Sequence, residues 1–131
     1  MRNAVMVPKI VNDRLRSSQE LKSYVDDRIW PIVSDEEQIF PYIAFSRTML
    51  TPIYTKDLYT EDSVGIEIVA ACRDYFVSLE IIEIVRELFD CRQFKDDNIF
   101  VSQIRTTAIT EEYNEANDVF VQRISFDFRV R

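Results

Sequence analysis

The pattern of apolar and polar positions is clearest between Val64 and Asp90. Val64, Ile66, Ile68, Ala70 and Cys72 alternate with Gly65, Glu67, Val69, Ala71 and Arg73. That period of two is the mark of a half-buried strand. At Asp74 the period lengthens. Phe76, Leu79, Ile82, Val85 and Phe89 recur at intervals of three and four, the stripe of an amphipathic helix. Ser78, Glu80, Glu83 and Glu87 are expected on its other side. Asp74 suits the N-cap, where a carboxylate accepts an orphan N–H of the first turn. Each large side chain buried along the stripe contributes roughly 1.5–3 kcal/mol, so strand and helix packed together would fix the core.

Upstream, Pro8 fits the first turn of a helix reaching Arg16, with Ile10, Val11 and Leu15 along one edge. Ser17 and Glu20 form a capping-box pattern opening a second short helix to Val25, whose buried side is Leu21, Tyr24 and Val25. Ile29 and Trp30 read as a short edge strand closed by Pro31, which has no N–H for a ladder. Ser34 to Gln38, with Asp35, Glu36 and Glu37, reads as a solvated charge run matching no cation loop. Pro41 to Leu50 is the next strand, with Ile43 and Phe45 on one face. Thr51 to Asp62 exceeds an ordinary hairpin loop, so its strands are expected to continue as a projecting arm.

Downstream of the helix, Phe94 to Asn98 reads as a turn and Ile99 to Thr107 as a strand, Phe100 and Ile104 alternating against Val101 and Gln103. Thr110 to Asp118 reads as a second exposed loop or arm. Val119 to Val130 closes the chain as a strand, with Phe120, Ile124, Phe126, Phe128 and Val130 turned to the core. The expectation is one α+β domain over residues 1–131. A single mostly antiparallel sheet would be packed by one long amphipathic helix, with two short N-terminal helices beside it. The Val64–Arg73 and Val119–Val130 strands, long and apolar, belong in its centre.

Composition narrows the chemistry. There is no His and a single Gly, Gly65. His-based triads and pH switches are therefore excluded, as are glycine-rich phosphate loops. No metal, cofactor or catalytic residue is expected. The net charge of −7 lacks the basic footprint of nucleic-acid binding. Cys72 and Cys91 flank a helix of about 25 Å, whereas a disulfide needs Cα atoms within about 7 Å. Two free thiols follow, as in a reducing compartment. No signal peptide or membrane-length apolar run is visible.

Asp27-Arg28-Ile29-Trp30-Pro31 followed by Phe40-Pro41-Tyr42-Ile43 resembles the opening of the small tail completion proteins of long-tailed phages, also called tail terminators or head–tail joining proteins. Gly65 to Ala70 with Asp74-Tyr75, and Ser125 to Val130, resemble that family's later strand, helix and closing strand, in order and at the right length. The chain departs from the family's pattern in its density of acid and the length of Thr51–Asp62. The resemblance implies a structural virion protein with no catalytic residues. It implies a homo-oligomeric ring, usually hexameric, between tail tube protein and head connector, through which DNA passes without specific binding. Such a protein belongs to the virion neck and assembles in the bacterial host's cytoplasm, with no membrane partner.

Within that frame Tyr54 and Tyr59 are expected at contacts with neighbouring subunits or the tube, because a phenol suits a wet interface. Glu111, Glu112, Glu115 and Asp118 are expected to face the channel, where carboxylates repel phosphate and let the duplex slide. Two other readings compete with this one. A small cytosolic αβ ligand-binding or regulatory module of bacterial origin would show a defined pocket. An enzyme would need paired carboxylates such as Glu80, Glu83 and Glu87, but these face solvent beside Arg86, with no walls to exclude water.

Overall fold

The computed structural model describes residues 4–32, 39–56, 58–95 and 98–131. The Ser34–Gln38 charge run lies wholly outside them, Asp35, Glu36 and Glu37 included, as does the side chain of Tyr59.

Six strands form one curled mixed sheet: β1 (Ile29–Pro31), β2 (Tyr42–Thr55), β3 (Leu58–Cys72), β4 (Phe94–Lys95), β5 (Phe100–Asn114) and β6 (Val119–Val130), in the order β1-β2-β3-β6-β5-β4. Every neighbouring pair is antiparallel except β1 with β2. The apolar strands β3 and β6 are the central pair as their sequence implied, although β6, at 12 residues, is shorter than β2 and β5. The segment Phe94–Asn98 was expected to be only a turn. Its first two residues instead form β4, held to Phe100 and Val101.

Three helices pack the sheet rather than one long helix with minor companions: α1 (Val7–Ser17), α2 (Gln19–Val25) and α3 (Tyr75–Phe89). Val7, Val11, Leu15, Leu21 and Val25 are fully buried in the same core as Ile81, Val85 and Phe89. The N-cap of α2 is Ser18 rather than Ser17: Ser18 Oγ accepts from Leu21 N, whereas Ser17 Oγ turns back to donate to the Arg14 carbonyl. Asp74 caps α3 as expected, accepting from Phe76 N at 2.9 Å and Val77 N at 3.2 Å.

The buried face of α3 is rotated from the expected one. Ser78, Ile81, Ile82, Val85 and Phe89 are buried, while Phe76 is 72% exposed and Leu79 only half-buried. Apolar residues occupy most sides of this helix, so the sheet chooses among several overlapping stripes. Against α3 lie Phe126 and Phe128, whose rings stand 5.5 and 6.0 Å from that of Phe89.

Bulges reset the alternation along the sheet. A register shift at Ser102 lets both Val101 and Ile104 reach the core, while Phe100 is only half-buried and Gln103 is exposed, against the simple alternation expected, and a second shift lies at Thr107. A smaller cluster lies on the face of the sheet away from the helices: Tyr42, Ala44, Ala71 and Val119, with Trp30, Phe40 and Val121 packed on it. Arg28 stitches the two opening segments together, donating from Nε to the Pro41 carbonyl at 2.8 Å, while Ile43 N donates to the Arg28 carbonyl at 2.9 Å.

The long hairpins set the shape of the ends. β2 and β6 run in one direction, β3 and β5 in the other. The β2–β3 turn therefore leaves the sheet at one end and the β5–β6 turn at the opposite end. Asp62 pairs with Val130, the last residue of β6, so Leu58–Glu61 and their β2 partners overhang the neighbouring strand. Four residues at about 3.3 Å each give an overhang of roughly 13 Å. The projecting arm expected at Thr51–Asp62 is thus a paired hairpin.

Candidate functional site

Among the described residues Val5, Met6, Ile32 and Ile39 are exposed large apolar side chains away from the long hairpins, and the other six lie on those hairpins or beside them. On the β2–β3 arm they are Met49, Tyr54 and Leu58. At the other end Ile109, Tyr113 and Phe76 are exposed. Scattered single apolar residues need no explanation; those gathered on projecting elements mark contact surfaces.

Tyr54 lies on this arm, 58% exposed, and its backbone pairs with that of Tyr59. From Ser46 to Lys56 the outer strand carries Arg47 and Lys56 and no acid. Among the described residues β1 covers the outer side of β2 only from Ile43 to Phe45. Beyond that point the strand shows an edge, with Pro52 and a bulge at Thr48 of the kind edges tolerate.

The four acids expected on an exposed loop do not share one. Glu111 and Glu112 lie within β5, and only Glu115 and Asp118 belong to the turn. The pleat separates the first two. Glu111 pairs with Gln122 on the helix-bearing side and accepts a hydrogen bond from Tyr75 Oη at 3.1 Å. Glu112 pairs with Val121 on the open face, where its carboxylate is 2.5 Å from Arg123 Nη2, while Arg123 Nη1 lies 3.6 Å from Glu67. These ion pairs are substantially exposed, so each is worth about 0–1 kcal/mol. Asp118 accepts from Tyr113 Oη at 2.6 Å. All four acids are exposed.

A cluster at this end was not anticipated from the sequence. Tyr75 stands 5.6 Å from Phe76 and 5.4 Å from Phe120, and Phe120 stands 4.9 Å from Tyr113. The hydrogen bond to Glu111 raises the pKa of Tyr75, and that to Asp118 raises the pKa of Tyr113. Both phenols are thereby held as neutral donors. The four rings come from α3, β5 and β6, and no local spacing announces their meeting.

The open face of the sheet carries a second charged row. Arg129 Nε lies 2.8 Å from Asp127 and Arg129 Nη1 3.4 Å from Glu61, and Ser63 Oγ donates to Asp127 at 2.5 Å. Opposite charges thus lie side by side along this row. Glu80 accepts from the Tyr24 hydroxyl, an arrangement that ties α2 to α3. Among the described residues no group of three or more carboxylate or thiol side chains is placed to hold a metal. Clefts such as the one of about 330 Å³ between Ile10, Arg14 and Phe94 are open to solvent. Among the described residues no helix is long and apolar enough to cross a membrane.

These features define an α+β chain with a single sheet, whose long hairpins carry exposed apolar and charged side chains toward opposite ends. Its fold is similar to that of a chain in the virion of a native gene transfer agent particle, with a TM-score of 0.79 over 92% of this chain and 90% of that one, at 12% identity. No protein-family model and no curated protein sequence matches it.

Proposed function

We infer that this chain is a structural virion protein which forms a ring at the head–tail junction, completes the tail tube and joins it to the head connector. The observation that carries this reading is the fold shared almost end to end with a chain of a phage-like particle. The ordered motifs resembling tail completion proteins support it, and β1 and β2 bring two of those motifs side by side. The ring is a homo-oligomer, hexameric by analogy, in the neck of a virion assembled in the bacterial host. Its role is structural rather than catalytic.

The exposed arm bearing Tyr54 and Tyr59 supplies contacts to neighbouring subunits or to the tube. The acidic end, with Glu112 on the open sheet face and Glu115 and Asp118 at the turn, borders the path of the DNA. A net charge of −7 suits a conduit that must not hold phosphate. Deleting the gene in a particle-producing strain tests the reading. Filled heads and separate tails are expected, with joining restored when the gene is supplied in trans and the labelled chain found at the neck. Intact, infectious particles made without it would overturn the reading.

A further inference from the structure

The two hairpin ends carry complementary surfaces that one chain cannot bring together. Toward one end β2 offers Arg47, whose Nη1 also donates to the Val5 carbonyl at 3.3 Å, then Met49 and Tyr54; Lys56 follows in the turn and β3 adds Leu58. At the other, Phe76, Ile109 and Tyr113 are exposed beside Glu111 and Asp118, and β5 from Thr106 to Asn114 has no Lys or Arg. Because the turns leave the sheet at opposite ends, the acid-free outer strand of the arm, whose hairpin partner carries Glu61 and Asp62, and the acidic aromatic cluster are held apart within a molecule.

Both surfaces also border an exposed strand edge. The outer side of β5 is occupied near its start by β4, then by the end of α3. Cys91 N donates to the Ile104 carbonyl, and Asp90 accepts from Thr106 N at 3.1 Å. From Ala108 to Asn114 no strand covers it among the described residues. On β2 the uncovered stretch runs from Ser46 toward the other end. β2 and β5 run in opposite directions, so copies set side by side in the same sense bring them together antiparallel, as every other long pair in the sheet is.

We propose that the β2–β3 arm of one copy docks on the uncovered β5 edge and the Phe76–Tyr113 aromatic cluster of a second copy, adding β2 as an antiparallel strand. This deepens the ring reading by naming its subunit contact, and rests on that reading only for the setting in which the contact is used. The contact is head-to-tail: the surface used on one copy differs from that used on the next. The uncovered stretches are offset along the strand direction, so neighbours must be staggered. A sheet closing on itself requires such a stagger, with its strands tilted to the axis. Lys56 and Arg47 then approach Glu111 and Asp118, and Tyr54 and Leu58 lose water against Phe76 and Tyr113.

The test uses the full chain in two variants, each altered only at exposed positions. The arm variant is Tyr54→Ser with Leu58→Ser; the cluster variant is Phe76→Ser with Tyr113→Ser. Circular dichroism and melting confirm that both fold as the parent does. Light scattering and native mass spectrometry are expected to show the parent assembling and each variant associating at least about 30-fold more weakly, as loss of a central aromatic contact implies. Mixed together, the two variants retain one intact pair of surfaces and should form a one-to-one dimer and nothing larger. Lys56→Glu should weaken assembly, and Glu111→Lys in the same chain should restore it.

Variants that assemble as the parent does would overturn the proposal. So would a parent that stays monomeric to its solubility limit, or a mixture that forms no dimer. Assembly through these surfaces by a chain that never enters particles would leave the contact standing and sink the virion reading. Virions joined normally by both variants would do the reverse.

Discussion

Gln122 Nε2 donates to Ser78 Oγ at 3.2 Å in the buried seam between β6 and α3. Ser78 Oγ in turn donates to the Tyr75 carbonyl at 2.6 Å. The two residues are unequal members of this chain of bonds. Ser78→Ala strands the Gln122 amide in the core, which costs about 1–3 kcal/mol. Gln122→Leu removes the demanding group itself and leaves the serine hydroxyl its acceptor. The double variant should therefore melt closer to the parent than Ser78→Ala alone. Urea titration of the four proteins of this cycle measures the coupling, and additive losses would contradict it.

The rotated face of α3 ranks three core substitutions. Phe126→Ala should cost about 3–5 kcal/mol and Ile81→Ala about 2–5, as buried large-to-small changes do. Leu79→Ala, at a half-buried site, should cost clearly less than Ile81→Ala. Chemical denaturation at constant m-value gives the order directly. Equal losses at Leu79 and Ile81 would restore the stripe expected from spacing alone.

Asp90 supplies an acid-dependent link between α3 and β5. The Thr106 hydroxyl donates to its carboxylate at 2.8 Å and lowers its pKa, helped by the Thr106 N–H and the Arg86 charge. A carboxyl held lower in the folded chain stabilises the fold above its unfolded pKa, about 4, and loses that contribution as pH falls through the folded value. The melting difference between the parent and Asp90→Asn should thus be full at neutral pH and shrink in acid. A constant gap down to pH about 2, below the ordinary carboxylate range, would assign the difference to something other than ionisation.

The two thiols should differ sharply in reactivity. Cys72 is buried, and desolvation, aided by the nearby Asp74 charge, pushes its pKa up to about 12. Cys91 is exposed beyond the end of α3. One equivalent of a thiol reagent should react quickly with the native chain and the second only on unfolding, since the thiolate is the reactive form. Peptide mapping should place the first label at Cys91. Rapid labelling of both would mean that the end of β3 opens readily.

Much of the frame was legible because local period and burial agree. The change from two to three-and-four at Asp74 located α3 and its boundary with β3 within a residue or two, although β3 starts at Leu58, well before the expected Val64, and apolarity placed β3 and β6 at the centre. The misreadings have physical causes. Ser78 looks like a surface residue until Gln122 arrives from β6 to satisfy it. Ser102 and Thr107 reset the pleat without leaving any mark in the apolar pattern. Glu111 and Glu112 sit one position apart, and only strand pairing sends them to opposite faces. Tyr75 and Phe120 are 45 positions apart, so their meeting is a product of topology.

The opposed hairpin turns make the chain a vector. Copies laid side by side in the same sense sum their directions, whereas a two-fold pair would cancel them. An annulus of such copies has two unlike mouths, because every copy turns the same end of its sheet toward the same rim. One kind of subunit can then tell upstream from downstream, and bind a different neighbour at each mouth without a second gene to mark the difference.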